Sequence, residues 1–335
     1  MNLKPLRIAT ILGVALLVLA GHPAIYSTRS EVFAVEPIRV ALPDKSFGQL
    51  PLFIGIRAGL FGGEGLEVQW ILIRSNTIAP ALMGGEIDVA AAAGSTMRVA
   101  ARGAPLKAIF FPFYKSTFVF VGAPEIKRVP DLKGKVVGVT GPRNSTQIAA
   151  SIVLQQNGLN PDKDVTFFTV RGGETIVAAL ETKTIQAMAV NPDMAFLLRK
   201  RGFHALGYLA DLAPWPWGGY ATSDAKLARE RDKIKRWTRA MVKAMLLMVK
   251  NREETIRIAM AEFGYPRDVT EAAADVSVRA INAQAPGGAE EEILRQNIAL
   301  TITTPLELKE SPPVAKLVDF SVLREAWKEL GIAAR

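Results

Sequence analysis

Residues 79–94, APALMGGEIDVAAAAG, and residues 176–192, IVAALETKTIQAMAVNP, share one pattern. Each stretch begins with apolar residues at helical spacing, passes through a short polar break and ends in small apolar residues typical of a buried strand. The two helix–strand units lie about a hundred residues apart, so each can belong to a separate α/β core. The repeat therefore predicts two lobes of like topology.

Short apolar runs alternate with amphipathic stretches on both sides of these units, from Pro37 to about Ser223. Such alternation is typical of an α/β fold in which largely parallel strands are joined by helices. The predicted strands are 38–42, 67–73, 89–93, 108–113, 117–122, 136–140, 165–170 and 187–190. The predicted helices are 50–60, 78–83, 96–102, 145–156, 174–181 and 192–201.

The sequence after about Ser223 has a different pattern, with long helical stretches at 226–263 and 269–283 and a further one at 318–330. No strand of comparable strength is expected there. Its methionines recur near helical spacing, which predicts core packing rather than a ligand surface. We therefore predict an α/β protein of two lobes, each a mixed sheet flanked by helices, with a helical C-terminal segment.

The composition is that of a globular protein: 335 residues, 49% hydrophobic and 22% charged, with a formal net charge of +9. This length suffices for two packed cores, at about 100–200 residues per domain. Lysine and arginine are scattered, and no basic run is interleaved with aromatic residues, so a nucleic-acid surface is not expected. The positive charge indicates a bias toward anionic ligands.

The N-terminus has the layout of an export signal. Lys4 and Arg7 precede a nearly continuous apolar run at residues 8–20, which is short for a membrane span of about 20 residues. We interpret residues 1–34 as a signal peptide, with an uncleaved membrane anchor as the alternative. The absence of cysteine fits an oxidising compartment and excludes a lipid-modified cysteine. The predicted location is the periplasm.

Residues for enzyme chemistry are scarce. The sequence has no cysteine and two histidines, His22 in the export segment and His204 between Phe203 and Ala205. The side chains needed for a Ser-His-Asp hydrolase or a His/Cys metal site are almost absent, so we expect no catalysis, no metal and no cofactor. The glycine clusters also lack the phosphate-binding and dinucleotide-binding patterns and are interpreted as turns.

Polar residues instead follow three of the predicted strands, where each opens a helix. Helix N-termini expose unpaired N–H groups and a positive dipole end, and ligands of open α/β sheets bind beyond the carboxyl ends of the strands. These turns therefore predict a shared anion site, although N-capping alone also explains each of them. Its candidate residues are Ser95, Thr96, Thr140, Arg143, Asn144, Ser145 and Asn191.

Arg143 is placed to clamp a carboxylate or sulfonate through its guanidinium, while Arg74 and Arg98 are weaker candidates because strand-end and helix-surface positions explain them as well. Ser46 and Gln49 follow the first strand and are expected to form a wall of the pocket. Trp217 either caps the ligand or belongs to a packed hinge. Aromatic residues also indicate an organic ligand, or alternatively only core packing: Phe47, Phe53, Phe113 and Trp217.

The order of motifs resembles the nitrate/sulfonate/bicarbonate/thiamine-precursor family of ABC-importer binding proteins. The resemblance spans about residues 37–210 and rests on LFIGIRAGLF at 52–61, GLEV at 65–68, ALMGGEIDVA at 81–90, DLKGKVVGV at 131–139 and GLNP at 158–161. Where the family often has Gly-x-Asp-Ala in its second lobe, this chain has Lys183 to Ala187, which we interpret as an altered helix-to-strand junction.

The resemblance implies the type II periplasmic-binding fold, with a first lobe of residues 37–122, a second lobe of 123–215 and a return of 216–335 to the first. It implies a monomer that closes on a small anionic solute such as a sulfonate or carboxylate and delivers it to the permease subunits and ATPase of an ABC importer. Two alternatives remain: a sensory receptor of the same fold and a pyrimidine-forming enzyme of the thiamine-biosynthesis type, which would need a histidine and an iron site.

Overall fold

The computed structural model describes residues 35–213 and 215–333, which fold into a two-lobed α/β structure. The predicted signal peptide lies outside the described residues. No helix in the described part of the chain is long and apolar enough to cross a membrane.

The first lobe contains a five-stranded sheet in the order β2-β1-β3-β10-β4. Strand β1 pairs in parallel with β2 and β3, whereas β10 runs antiparallel to β3 and β4, so the sheet is mixed. The run of valine, alanine and leucine in β1 is buried, as expected for a strand covered on both faces. The strands are β1 Glu36–Leu42, β2 Leu66–Leu72, β3 Val89–Ala90, β4 Leu106–Phe110 and β10 Tyr220–Ser223.

The second lobe repeats this arrangement in the order β7-β6-β8-β5-β9, again with one strand, β5, antiparallel to its neighbours. The predicted repeat is confirmed, because its strands β3 and β8 occupy the same central position in the two sheets. The strands are β5 Val119–Gly122, β6 Lys135–Val139, β7 Val165–Thr169, β8 Ala187–Val190 and β9 His204–Tyr208.

The turn between helix and strand differs between the two lobes. Gly85 and Lys183 hold the corresponding turn with φ angles of 74° and 57°. Glycine adopts this left-handed conformation freely, whereas a lysine there is disfavoured by about 1 kcal/mol. The departure from the family pattern thus lies in a helix-to-strand junction, as predicted.

The predicted boundary between residues 122 and 123 is wrong. It assigns Val119–Gly122 to the first lobe, but these residues form the strand β5 of the second sheet. Strands β9 and β10 were also not expected. The short segments HALGY and YATS carry no clear strand pattern of their own. Each is stabilised by pairing with a strand distant in sequence.

The helices pack on both faces of the two sheets. The predicted helical pattern of 226–263 is divided into three helices, the last of them capped by the Asn251 side chain, which accepts from Glu254 N. The helices are α1 Leu50–Arg57, α2 Ser75–Met83, α3 Ala93–Ala101, α4 Ser145–Gln156, α5 Gly173–Glu181, α6 Pro192–Arg199, α7 Leu209–Leu212, α8 Asp224–Arg229, α9 Arg231–Lys250, α10 Arg252–Phe263, α11 Arg267–Arg279, α12 Glu291–Ile298, α13 Thr304–Leu306, α14 Val314–Leu317 and α15 Ser321–Glu329.

The chain crosses between the lobes in two adjacent segments. Phe113 and Trp217 exchange backbone hydrogen bonds where the segments meet, with Trp217 N donating to Phe113 O at 2.7 Å. Beyond them, Phe118 and Trp215 enter the core of the second lobe and Tyr220 enters that of the first. This paired crossing holds the carboxyl ends of the two sheets toward one cleft.

Candidate functional site

A cavity of about 300 Å³ lies in this cleft. Its walls are the turns that follow β1 and β3 of the first lobe and β6, β7 and β8 of the second, together with the crossing at Trp217. Ligands of open α/β sheets bind at such a position, beyond the carboxyl ends of the strands. The cavity is therefore the candidate binding site.

Most of the residues predicted from the sequence line this cavity. The structure brings together eight of them: Ser46, Gln49, Ser95, Thr140, Asn144, Ser145, Asn191 and Trp217. They come from both lobes and from positions up to 171 residues apart in the chain, the separation of Ser46 and Trp217. The prediction of a shared site is consistent with this placement.

Two predicted residues do not line the cavity. Thr96 is buried inside α3, and its hydroxyl has no hydrogen-bond partner in the described part of the chain. Arg143 has an exposed side chain and a φ angle of 54°, and its backbone N–H donates to the Gln147 side chain. The left-handed backbone directs this residue to the surface, so the predicted Arg143 clamp disagrees with the structure.

The loop before α4 is held by its own polar side chains. Asn144 is the N-cap of α4, where its side-chain oxygen accepts from Gln147 N at 3.1 Å and from the Thr146 hydroxyl at 2.8 Å. Its amide nitrogen donates to the Thr140 hydroxyl, and Arg171 Nε donates to Thr140 O at 3.0 Å. Thr140 and Asn144 thus shape the wall of the cavity with groups that are already paired.

Arg98 is the guanidinium that the structure places in the cavity wall. It lies in α3, and its Nη1 comes close to Gly94 at the beginning of that helix, where the hydroxyl of Ser145 from the second lobe also approaches. No carboxylate in residues 35–213 or 215–333 forms an ion pair with it, and burial lowers the pKa of Arg98 to about 10. The cavity therefore contains a desolvated cation without a partner.

The N-termini of several helices add to this positive character. Helices α3, α4 and α5 begin at residues that line the cavity, and α6 begins directly after Asn191, which also lines it. Each presents unpaired backbone N–H groups and the positive end of its dipole there. A guanidinium beside two of these ends is electrostatically unfavourable unless an anion joins it. This part of the cavity is suited to a sulfonate or carboxylate group.

A second part of the cavity is acidic. Asp193 is 3% exposed, and burial raises the pKa of its carboxyl to about 6, with a further contribution from the charge of Asp44. Burial by the surrounding protein also raises the pKa of Asp44, although its side chain is accessible from the cavity itself. The Tyr265 hydroxyl lies beside Asp193 and partly offsets this effect.

The two lobes meet at this acidic part. Asn191 Nδ2 of the second lobe donates to the Ser46 hydroxyl of the first at 3.0 Å, and that hydroxyl donates to Asp44 Oδ1 at 2.6 Å. Asn191 Oδ1 and the indole N–H of Trp217 are buried near Gly48 without a partner among the described residues. These polar atoms are available to a ligand that enters the cleft.

The aromatic residues fall into two groups. Trp217 lines the cavity with Phe118, their ring centroids 4.1 Å apart, and it also forms the crossing between the lobes. That it caps the ligand stays a prediction. Phe47, Phe53 and Phe113 are fully buried in the core of the first lobe and do not line the cavity. For these three the alternative of core packing is correct.

The sequence analysis missed the two aspartates and ranked Arg98 low. Asp193 follows Pro192 in the first turn of α6, where an acidic residue is expected for its effect on the helix dipole alone. Arg98 is one turn inside α3 and looks like a helix-surface residue. Only their burial beside an open cavity distinguishes them. In the described part of the chain, no group of three or more histidine, aspartate or glutamate residues could hold a metal ion.

The sequence of this chain matches a known protein family. A family model described as NMT1/THI5 like matches residues 46–255. No curated protein matches the sequence.

Solved structures share the fold at low sequence identity. The alkanesulfonate-binding protein SsuA from Xanthomonas axonopodis pv. citri, bound to MOPS, is 18% identical with a TM-score of 0.70, covering 84% of this chain and 98% of its own. The periplasmic aliphatic sulphonate binding protein SsuA from Escherichia coli is 18% identical with a TM-score of 0.68, covering 85% and 92%. The desulfurization enzyme DSZB is 12% identical with a TM-score of 0.62, covering 88% and 99%.

Proposed function

The chain belongs to the NMT1/THI5-like family, and from this we propose that it is a solute-binding protein that captures a small organic anion for an ABC importer. The sulfonate-binding proteins that share its fold support the class of function. A sulfonate or carboxylate is the ligand group that best matches the cleft of this chain.

The observation that carries this proposal is the unpaired Arg98 in the cavity wall. Its guanidinium is desolvated, lies between the beginnings of α3 and α4, and has no carboxylate partner in the described residues. A buried cation is retained against its desolvation penalty where a counter-ion joins it, and a planar guanidinium matches the oxygens of a sulfonate or carboxylate. The anion supplies the missing partner.

The contacts between the lobes support binding by closure. Besides the Ser46–Asn191 hydrogen bond, Lys200 at the end of α6 forms an ion pair with Asp268 of α11 at 2.6 Å. These two contacts are small and hydrophilic, and α6 also packs Phe196 against the core of the first lobe. The crossing at Phe113 and Trp217 joins the lobes through a pair of backbone hydrogen bonds. We propose that the lobes open and close about this crossing, and that the closed form is presented to a permease in the periplasm.

A catalytic role is the alternative raised by the fold shared with DSZB. The supply of reactive side chains argues against it here, because the sequence contains no cysteine and His204 lies outside the cavity. The His204 ring instead contacts Lys127 Nζ at 3.0 Å and the carbonyl of Pro124 at 3.1 Å on the surface of the second lobe. We propose that the ligand is bound and released without chemical change.

The test is calorimetric titration of the ligand-free protein with a panel of alkyl sulfonates and carboxylates. Arg98→Met removes the charge but keeps the length of the side chain, so we expect affinity for the anion to fall about 30- to 100-fold, the loss of a charge-assisted bidentate contact. Arg143→Ala is the matched control and should leave affinity unchanged, because its guanidinium lies outside the cavity.

Two results would contradict the proposal. One is equal binding of the anion by the native protein and by Arg98→Met. The other is recovery of a chemically altered ligand after incubation with the protein, which mass spectrometry of the released compound would detect.

A further inference from the structure

The carboxyl groups of Asp44 and Asp193 both line the cavity, and no cation of the described residues forms an ion pair with either of them. Asp193 is 3% exposed, and its Oδ1 has no hydrogen-bond partner in the described residues. Both residues line the cavity, and the Ser46 hydroxyl links Asp44 Oδ1 to the side chain of Asn191, two residues before Asp193. Both come from turns that follow central strands, one in each lobe, so they meet only when the lobes are together.

The cations nearest to these carboxyls are engaged elsewhere. Lys45, next to Asp44 in the chain, forms an ion pair with Glu262 at 2.7 Å and lies over the rings of Phe53 and Trp70. Arg98 forms no ion pair with either aspartate, and no carboxylate contributes to its own pKa. The cavity therefore carries unsatisfied charges of opposite sign at separate positions.

We propose that the ligand is a zwitterion, with its acid group at Arg98 and a protonated amine held by Asp44 and Asp193. This inference rests on the proposed function and narrows its ligand class. An ammonium group has three donors and no acceptor, which suits the unpaired oxygen of Asp193 and the unpaired Oδ1 of Asn191, both residues of the cavity lining. A ligand with only an anionic group would leave these acceptors buried and unpaired.

The titration of the carboxyls gives the inference a second signature. Burial raises the pKa of Asp193 to about 6, and the groups that face it are Asp44 and Tyr265. A bound ammonium favours the ionised carboxylate and lowers that pKa. Near pH 6 the amine should therefore displace a proton from the protein as it binds, and this release falls away as the pH rises above 7.

The experiment compares pairs of compounds that differ only in the nitrogen: 3-aminopropane-1-sulfonate against butane-1-sulfonate, and 4-aminobutanoate against pentanoate. Calorimetry of the ligand-free native protein should show at least about tenfold tighter binding of the amine in one pair, with proton release at pH 6. Asp193→Asn and Asp44→Asn should remove the preference by weakening the binding of the amine selectively, because each removes a carboxylate that holds the ammonium group. The exposed Asp162→Asn is the matched control and should keep the preference.

The outcomes separate this inference from the function on which it rests. Equal or tighter binding of the amine-free anion, still dependent on Arg98, would overturn the zwitterion and leave the anion receptor standing. Binding of butylamine with the affinity of the amino acid and without dependence on Arg98 would overturn the anion site. Failure of the folded, ligand-free protein to bind any of these compounds would overturn both.

Discussion

Two buried aspartates, Asp88 of the first lobe and Asp193 of the second, show how the same side chain serves different purposes in the two lobes. Asp88 begins β3 at the end of the sheet away from the cavity and is fully buried, whereas Asp193 lies across the cleft and is 3% exposed. Burial would raise the pKa of Asp88, but hydrogen bonds from Arg39 and Lys226 and the charge of Lys233 outweigh it and hold that pKa at about 2. The pKa of Asp193 is raised to about 6.

The comparison teaches that burial alone does not distinguish a structural carboxylate from a binding one. Arg39 donates to Asp88 through both its backbone N–H and its guanidinium, and Lys226 Nζ is 2.5 Å from Asp88 Oδ1. Asp193 has no comparable cation among the described residues. The carboxylate that supports the fold, Asp88, is paired with cations of the chain itself. The carboxylate that we propose to bind the ligand, Asp193, is left for the cation of that ligand.

Asp88→Asn should have the largest effect on stability. Removing this charge takes from Lys226 and Lys233 the fully buried carboxylate that they share and leaves them the more exposed Glu230, so we expect a loss of about 3–5 kcal/mol in the free energy of unfolding. Because the pKa of Asp88 is lowered from 3.8 to about 2, its contribution is present above pH 4 and lost as the pH falls toward 2. Urea unfolding at pH 7 and pH 3 measures both effects.

The control for Asp88→Asn is Asp162→Asn, which changes an exposed aspartate of the second lobe. It should alter stability by less than about 0.5 kcal/mol at either pH. A loss of similar size in the two variants would contradict the structural role assigned to Asp88.

Asp193→Asn should change stability in the opposite direction. In the ligand-free protein the raised pKa means that the folded state holds its proton more tightly than the unfolded chain. Stability is therefore lowered as the pH rises from about 4 through 6, and Asn relieves a penalty of about 3 kcal/mol at pH 8. The gain should shrink toward zero as the pH falls to 4, which thermal unfolding across this range would show.

If Asp193→Asn had a lower melting temperature than the native protein at pH 8, the contrast with Asp88 would be wrong, because Asp193 would then stabilise the fold as Asp88 does. The measurement requires protein freed of any bound ligand, since an amine in the cavity would stabilise the native protein and reverse the sign.

Gln186→Leu sharpens the comparison with a smaller effect. Gln186 occupies in the second lobe the place of Asp88 in the first: its side-chain oxygen accepts from Val136 N at 2.9 Å, as Asp88 Oδ2 accepts from Arg39 N at 2.7 Å. Because the bonds that are lost, from Val136 N and to Lys183 O, are neutral, we expect a decrease of about 1–2 kcal/mol in the free energy of unfolding, independent of pH between 4 and 8. Gln155→Leu, on the exposed face of α4, is the control, and chemical unfolding of both variants is the measurement. A loss as large as that of Asp88→Asn would show that the charge of Asp88 adds nothing.

Much of the fold could be predicted because its signals are local. Strands β1 to β8 and the helices between them follow from apolar runs and their spacing, and the repeated helix–strand unit indicated two similar sheets. Strands β9 and β10 could not be predicted in this way, because they depend on pairing with β5 and β4. The position of β5 in the second sheet likewise depends on its partner β8 rather than on its own residues.

The candidate site was predicted in outline and missed in its charges. The polar residues of the turns line the cavity because the ends of parallel strands converge, a rule that needs only the order of elements. Arg143, chosen for its place in such a turn, is directed outward by a single left-handed φ angle of 54°. Arg98, one turn further into a helix, is the guanidinium that reaches the cavity.

The sequence by itself determined the class of fold, the repetition of its units and the scarcity of residues for catalysis, because these follow from local patterns and from composition. The tertiary structure alone decided which charges remain unpaired. Asp44, Arg98 and Asp193 are separated by 149 residues from first to last, and whether each finds a counter-ion depends on what the folded lobes bring within a few ångströms. Electrostatic interaction in a desolvated cleft depends on distance and burial, and the spacing of residues along the chain determines neither of them.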